Sequence, residues 1–155
     1  MRYQDYVIKD GKFIGEFESM YQDCDDPWHQ SEEVSCSYSR TDTVTTIRRL
    51  GLRNVLEAGC GLGYFTEFLS SSCKETHICG MDISPTAIKK AKSLHPGLDF
   101  FCGDLKNIDN ILPKHSDNGC VDAVIFPEIM WYILEDLNDI LSKIRMYFSP
   151  RGGYF

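Results

Sequence analysis

The chain has 155 residues, of which 43% are apolar, and its formal net charge at pH 7 is −7. This length and composition predict one folded domain with its own core and exclude a disordered tail. The acidic balance argues against a nucleic-acid partner, and no apolar run is long enough to cross a bilayer.

The N-terminus, the cysteines and the histidines indicate the compartment. The first residues, MRYQDYVIKDGK, lack the apolar core of a signal peptide, so we expect a cytoplasmic protein. The cysteines number seven, and the absence of CxxC spacing favours buried free thiols in a reducing environment. The histidines are scattered without ligand spacing, and the sequence predicts no metal site.

Residues 1–42 are aromatic and acidic, and we expect irregular structure or a short helix there. Tyr21 and Trp28 are candidates for a lid over a bound ligand, and simple packing onto the domain is the alternative. The next helix is predicted from about Ser39 to Leu50, because apolar residues recur there at helical spacing.

From Asn54 onward, predicted strands and helices alternate. Apolar runs predict four strands, NVLEAG, HICGMDI, LDFFC and VDAVIFPE, and the terminal GGYF begins a fifth. Helices are predicted over YFTEFLSSS, over SPTAIKKAKSLH with Ser84 as its cap, and from Glu135 to Phe148. The alternation predicts an α/β fold, a Rossmann-like parallel sheet with helices on both faces.

The turn after the first strand, VLEAGCGLGYFT, carries Gly59, Gly61 and Gly63 at every second position. This turn is the usual ligand site of a parallel sheet, and glycines let a ligand approach the backbone closely. Glu57 stands at its start, where it would repel a phosphate and suit a cationic centre. Tyr64 stands where the dinucleotide fingerprint wants a small residue.

Asp82 ends the second predicted strand, nineteen residues beyond Gly63. That position suits a carboxylate that binds two ribose hydroxyls, and a helix cap before Ser84-Pro85 is the alternative. A ribose, a cationic centre and no need for a diphosphate cradle together describe S-adenosylmethionine.

Four motifs in order resemble those of the class I S-adenosylmethionine-dependent methyltransferases: VLEAGCGLG, GMDIS, FFCGDL and VDAVIFPEIMWYI. The resemblance runs from about Asn54 to the last residue, and LSPRGGYF looks like the start of the fifth strand. It implies that residues 43–155 form the cofactor-binding domain, and the segment 1–42 is a candidate lid over the cofactor.

The resemblance implies a role for each matching residue. The methionine part of the cofactor would be lined by the turn, namely Gly59, Cys60, Gly61 and Gly63. Glu57 would reach its amino group, directly or through water, and Asp82 would hold the ribose hydroxyls. The adenine would be contacted by Ile83, by Asp104 at its amino group and by the backbone of Leu105. Phe126 to Glu128 would lie beside the sulfonium methyl. A turn aspartate is the alternative for Asp104.

A narrower resemblance concerns the acceptor. YQDCDDPWHQSE and PEIMWYILEDL look like the nodulation S-type methyltransferases, which methylate the amino nitrogen of a sugar. Pro127 replaces the serine usual in that group, and Met130-Trp131-Tyr132 replaces its leucine and tyrosines. The expected partner is therefore a small-molecule acceptor, with an amino sugar as one candidate.

Methyl transfer from a sulfonium is an in-line displacement, so the protein must hold the acceptor close to the methyl group. Glu128 is the predicted base for an amine acceptor, and a helix-start acid is the alternative. Tyr132 is predicted to line the acceptor pocket, with a core position as the alternative.

Two other functions are kept: an NAD-dependent oxidoreductase and a non-catalytic, methyltransferase-like binding module. Glu57 and Tyr64 speak against the first function. The intact set of Glu57, Asp82 and Asp104 speaks against the second.

Members of the family continue past the fifth strand with a helix and two antiparallel strands, for which this chain has no residues. The resemblance thus implies a fold truncated after the fifth strand, with an exposed sheet edge. We expect a fragment of a longer protein or, as the alternative, a partner chain such as a second copy in a homo-oligomer.

Overall fold

The structure, a computed structural model, describes residues 4–32, 38–115, 119–150 and 152–155. The N-terminal part contains helix α1 (Gln4–Val7), strands β1 (Ile8–Lys9) and β2 (Lys12–Phe13), and helix α2 (Phe17–Asp23). The two strands form a hairpin whose turn residues, Asp10 and Gly11, have positive φ of 50° and 74°, as a type I′ turn requires. The sequence analysis missed this hairpin, and residues 1–3 and 33–37 of the predicted lead-in lie outside the described residues.

A parallel sheet forms the centre of the molecule. Its strands are β3 (Asn54–Ala58), β4 (His77–Asp82), β5 (Asp99–Cys102) and β6 (Ala123–Ile125), in the order β5-β4-β3-β6. Because β3 lies between β4 and β6, the winding of the chain reverses at β3, and the carboxyl ends of the strands there leave a crevice. The predicted parallel sheet is confirmed.

Helices cover both faces of the sheet. They are α3 (Tyr38–Leu50), α4 (Tyr64–Ser72), α5 (Pro85–Leu94), α6 (Leu112–His115), α7 (Met130–Ile133) and α8 (Leu137–Arg145), with 3₁₀ turns at Leu105–Asn110 and Leu134–Asp136. Successive residues of β3 serve opposite faces, as the period of a strand requires. Val55 packs with Ile47 of α3 and Leu69 of α4, whereas Leu56 packs with Ile140 and Ile144 of α8.

The local predictions hold best where a cap or a turn defines the boundary. The Ser84 hydroxyl accepts a hydrogen bond of 3.0 Å from the Ala87 N–H, so it caps α5 as predicted. The helix predicted from Glu135 to Phe148 is present as α8, with the shorter bounds Leu137–Arg145. The short helix α7 precedes it and presents Tyr132 to a cavity, while α8 turns its apolar face into the core.

The last residues extend the sheet by a single bridge instead of a full strand. The Tyr154 N–H donates to the carbonyl of Asp122, and its carbonyl accepts from the Val124 N–H, each at 3.1 Å. Tyr154 therefore pairs in parallel beside β6, where the fifth strand was expected to begin.

The described cysteines are free thiols. Cys60, Cys73 and Cys79 are buried, as predicted, whereas Cys24 and Cys120 are partly exposed and Cys102 is exposed; Cys36 lies outside the described residues. Within the described part of the chain, no helix has the length and apolar character needed to cross a membrane. Nor do the described residues contain a cluster of three or more His, Cys, Asp or Glu side chains that could hold a metal ion.

Candidate functional site

A cavity of about 970 Å³ lies at the carboxyl ends of the parallel strands. Ligand pockets commonly have volumes of about 300–1,000 Å³, and open α/β sheets bind their ligands at this edge. The strand ends contribute the predicted site residues Glu57, Gly59, Asp82, Ile83, Asp104, Leu105, Phe126 and Glu128 to its lining. The structure thus brings residues from four separate motifs to one place.

Glu57 is a buried carboxylate at the floor of the cavity. Its side chain accepts a hydrogen bond of 2.5 Å from the Thr66 hydroxyl, and it is 1% exposed. Burial raises the pKa of Glu57 to about 7, although the Thr66 bond and the charge of Arg40 lower it. A carboxylate in this setting favours a cationic ligand group, because such a group offsets the cost of desolvation.

Asp82 connects the glycine turn to the start of α5. One carboxylate oxygen accepts from the Gly61 N–H and the other from the Ser84 N–H, each at 2.9 Å. Burial raises its pKa, whereas these bonds lower it. Asp82 therefore lines the cavity and also organises the turn before α5, and its contact with a ribose stays a prediction.

Within the glycine turn, Gly59 borders the cavity. Its φ is 79°, and a Cβ there would overlap the side chain of Ile129. Cys60 is instead fully buried beside α5, and a Cβ on Gly63 would meet Phe100 of β5. The structure thus places Cys60 and Gly63 in packing positions, and their contacts with the cofactor stay predictions.

The N-terminal segment covers the glycine turn through Gln30. The Gln30 side-chain carbonyl accepts from the Leu62 N–H at 2.8 Å, and its amide donates to the Cys60 carbonyl at 3.4 Å. A Cβ on Gly61 would meet both Gln30 and the Tyr21 hydroxyl. The turn therefore lies directly beneath this segment.

Tyr21 and Trp28 line the cavity from the same segment, as a lid would. Tyr21 is 3% exposed, and the Trp28 indole donates a hydrogen bond to its hydroxyl. Both also pack against Leu62 of the glycine turn in one apolar cluster, which was the alternative role, and a lid over a bound ligand stays a prediction.

A second polar contact holds the N-terminal segment to α5. The Glu18 carboxylate accepts from the hydroxyls of Ser84 and Thr86, each at 2.6 Å, and from the Thr86 N–H at 3.1 Å. The bonds from Ser84 and Thr86 lower the pKa of Glu18 to about 2. The sequence analysis missed this contact because Glu18 lies 66 residues before Ser84 and 68 residues before Thr86.

Arg40 of α3 also lines the cavity and was not predicted. Its guanidinium lies over the Phe65 ring, 5.3 Å from the centroid, and its charge acts on Glu57. The signal was present, since Arg40 lies four and seven residues before the buried Val44 and Ile47 and so shares their helix face.

Ile83, predicted to contact the adenine, is 51% exposed at the cavity. The Asp104 carboxylate accepts from the Lys106 N–H at 2.9 Å and so caps the following 3₁₀ turn, which was the alternative role. Leu105 is buried in the same wall. Their contacts with an adenine stay predictions.

Glu128 and Tyr132 lie beyond β6. Glu128 has a left-handed φ of 58°, rare for a residue with a side chain, and lies in the turn before α7 instead of in a helix. Tyr132 lines the cavity and stacks on Phe13 with ring centroids 5.5 Å apart. Phe17 meets the Tyr132 ring edge-on at 5.2 Å. Sequence reasoning did not include these two phenylalanines.

Comparisons with known proteins agree with this geometry. A methyltransferase domain family matches residues 55–152. The phthiotriol/phenolphthiotriol dimycocerosates methyltransferase of Mycobacterium tuberculosis is 37% identical over 120 residues, which is 76% of this chain and 40% of that protein. The chain thus spans about two fifths of the length of this relative.

Solved structures share the fold. Streptomyces venezuelae DesVI superposes with a TM-score of 0.65 at 16% identity, over 85% of this chain and 54% of that one. CalS10 from Micromonospora echinaspora, an amino pentose methyltransferase with S-adenosylmethionine bound, gives a TM-score of 0.60 at 18% identity over 92% of this chain and 56% of that one.

Proposed function

The chain belongs to the class I S-adenosylmethionine-dependent methyltransferases, and we propose that it transfers a methyl group from this cofactor to a small-molecule acceptor. The observation that carries the proposal is the cavity at the strand ends, into which the buried carboxylates of Glu57 and Asp82 face. The acceptor and the activity of the whole protein are part of the proposal.

The residues around the cavity fit the chemistry of the cofactor. Glu57 would hold its ammonium group, and Arg40 beside it would hold its carboxylate. Asp82 would accept hydrogen bonds from the ribose, and Ile83 and Asp104 would contact the adenine. A buried carboxylate and a neighbouring guanidinium together match the two opposite charges of an amino acid.

When bound, the cofactor supplies a methyl group that the acceptor's lone pair attacks as the carbon–sulfur bond breaks and its electron pair stays on sulfur. The chain must hold the acceptor in line and accept its proton. Glu128, at the cavity beyond β6, is the proposed proton acceptor, and Tyr132 would position the acceptor.

The proposed acceptor is a small molecule. An amino sugar is one candidate, supported by the fold that the chain shares with an amino pentose methyltransferase. A nicotinamide dinucleotide is disfavoured as the ligand, because its diphosphate would face Glu57 at the glycine turn. Coverage of the sheet edge by a further segment or a second copy stays a prediction.

Calorimetric titration tests the proposal. S-adenosylhomocysteine is expected to bind near micromolar, about −8 kcal/mol, and NAD to bind far more weakly. Asp82→Ala should abolish binding, whereas the control Asp99→Ala, which changes an exposed carboxylate that pairs with His77, should retain it. Binding of NAD in preference to S-adenosylhomocysteine would refute the proposal, as would equal binding by both variants.

A further inference from the structure

The strand order divides the cavity lining into two halves of different character. Its charged lining residues lie on α3 and at or after the ends of β3, β4 and β5: Arg40, Glu57, Asp82, Asp104 and Lys106. The other half is formed by the N-terminal hairpin, α2 and the segment after β6. Its lining residues include Phe13, Ile14, Phe17, Ile129, Tyr132 and Ile133, its charged member is Glu128, and the loop after α2 adds Trp28, His29 and Gln30 to the lining.

Three aromatic rings form a wall in this apolar half. Phe13 and Tyr132 stack with an interplanar angle of 19°, and Phe17 lies 5.2 Å from Tyr132 and 6.1 Å from Phe13. Two rings come from the N-terminal segment and the third from α7, so the wall joins distant parts of the chain. Such a wall presents apolar surface to whatever shares the cavity with the cofactor.

Apolar surface continues outside the mouth of the cavity. Phe13 is 54% exposed, and Ile8, its partner across the hairpin, is 56% exposed. Trp131, next to Tyr132 in α7, is 80% exposed. Large exposed apolar groups that adjoin a cavity mark a ligand or interaction surface, because exposing them to water carries a free-energy cost.

We propose that the acceptor is an amphipathic small molecule, in which an aromatic or alkyl body carries the reacting amine, and that this body lies against the wall of Phe13, Phe17 and Tyr132. The inference rests on the proposed function, since the cofactor must occupy the charged half. Glu128, which lines the same cavity, complements a protonated amine.

A bare sugar fits this half poorly. Its several hydroxyls need hydrogen-bond partners, and a polar group that is buried without one costs free energy. The wall instead offers ring faces and aliphatic side chains, which favour the burial of an apolar body. The inference therefore narrows the acceptor away from an unsubstituted amino sugar.

The test uses three primary amines on the chain saturated with S-adenosylhomocysteine, at a pH low enough that all three are protonated. 2-Phenylethylamine and n-octylamine supply the apolar body, and glucosamine is the bare amino sugar. Isothermal titration is expected to show at least one apolar amine binding about tenfold or more tightly than glucosamine. Equal or tighter binding of glucosamine would overturn the inference.

Matched variants locate the binding surface. Phe13→Ala should weaken binding of the apolar amine about fivefold or more and leave the affinity for S-adenosylhomocysteine unchanged. Phe13→Leu should bind the apolar amine with an affinity between those of the parent chain and the Ala variant. Phe155→Ala changes a phenylalanine of similar exposure, 58% against 54%, that packs on Phe148 away from the cavity, and should alter neither affinity. Unchanged probe affinity in Phe13→Ala would place the body elsewhere and overturn the inference.

Failure of the proposed function and failure of the acceptor inference give different binding results. Absence of S-adenosylhomocysteine binding to the folded chain refutes the proposed function, and the inference falls with it. Binding of S-adenosylhomocysteine without affinity for any amine probe overturns the inference alone. Binding to phosphatidylcholine vesicles in place of the soluble amines would assign the apolar rim to a lipid surface and likewise overturn it.

Discussion

The Thr66 hydroxyl donates a 2.5 Å hydrogen bond to the Glu57 carboxylate, and both side chains are almost completely removed from water. Thr66 lies in the first turn of α4, whereas Glu57 belongs to β3, so the bond spans the glycine turn from one side to the other. It fixes the direction in which the carboxylate meets the cavity.

The buried charge of Glu57 predicts a pH-dependent stability. The pKa of Glu57 is about 7 in the folded chain against a reference of 4.5, so the folded state binds more protons between these values. Stability should therefore fall as pH rises from 4.5 to 7 and then level off. The Glu57→Gln variant should not show this loss of stability. At pH 8 its free energy of unfolding should exceed that of the parent chain by up to about 3 kcal/mol. Urea unfolding at pH 5 and pH 8 measures the difference in unfolding free energy between the variant and the parent chain. An equal difference at both pH values would contradict the prediction.

Thr66→Val tests the hydrogen bond itself. The substitution keeps the shape of the side chain but removes the donor, so the ionised Glu57 loses its partner. We expect a loss of about 1–2 kcal/mol in unfolding free energy at pH 8 and a smaller loss at pH 5. Thr66→Ser retains the donor and should be closer to the parent chain. A Val variant as stable as the Ser variant at pH 8 would show that the bond contributes nothing.

Gly59→Ala is expected to destabilise the fold more than Gly51→Ala does. Gly59 and Gly51 both have left-handed φ, 79° and 62°, but a Cβ on Gly59 would overlap Ile129 while one on Gly51 meets nothing within 4 Å. Gly51→Ala should therefore cost about 1–2 kcal/mol from backbone strain alone. Gly59→Ala should cost about 1–3 kcal/mol more. Thermal unfolding of both variants compares them, and similar midpoints would disprove the packing argument.

Gln30→Ala is expected to loosen the cover over the glycine turn. The Leu62 N–H would lose its acceptor, so its amide hydrogen should exchange faster by about tenfold, equivalent to about 1.4 kcal/mol. Gln4→Ala, a change at an exposed glutamine of α1, is the control. Hydrogen-exchange NMR gives the readout, and unchanged protection of Leu62 would show that Gln30 does not stabilise the turn.

The contact of Glu18 with α5 should be sensitive to acid. Because its pKa is lowered to about 2, its contribution to stability is complete above pH 4.5 and is lost as pH falls towards 2. Trp28, in the same segment, should report the release by its fluorescence. In Glu18→Gln the acid-induced change should be much smaller, and an identical acid transition in both chains would exclude Glu18 as its cause.

Sequence patterns predicted the features that neighbouring residues determine. The strand before Gly59, the helix from Tyr64 and the Ser84 cap follow from apolar periodicity and capping chemistry. The Asp10-Gly11 hairpin carried an equally local signal that was overlooked.

The rest of the site depends on contacts between distant residues. Gln30 and Leu62 are 32 residues apart in sequence, and Glu18 and Thr86 are 68 residues apart. No local sequence pattern therefore predicts either contact. The bend between α7 and α8 likewise follows from where two faces pack, which periodicity alone does not give. Local chemistry thus placed the strand-end residues, and tertiary packing decided what covers them.

The long separation between Glu18 and its partners also sets an order of events during synthesis. Ser84 is made 66 residues after Glu18, which takes about 3–13 s at typical elongation rates of about 5–20 residues per second. Until then the N-terminal segment has no α5 to dock on, and its rings stay exposed. The cover, although translated first, therefore docks on α5 only after β3 and β4 have been made.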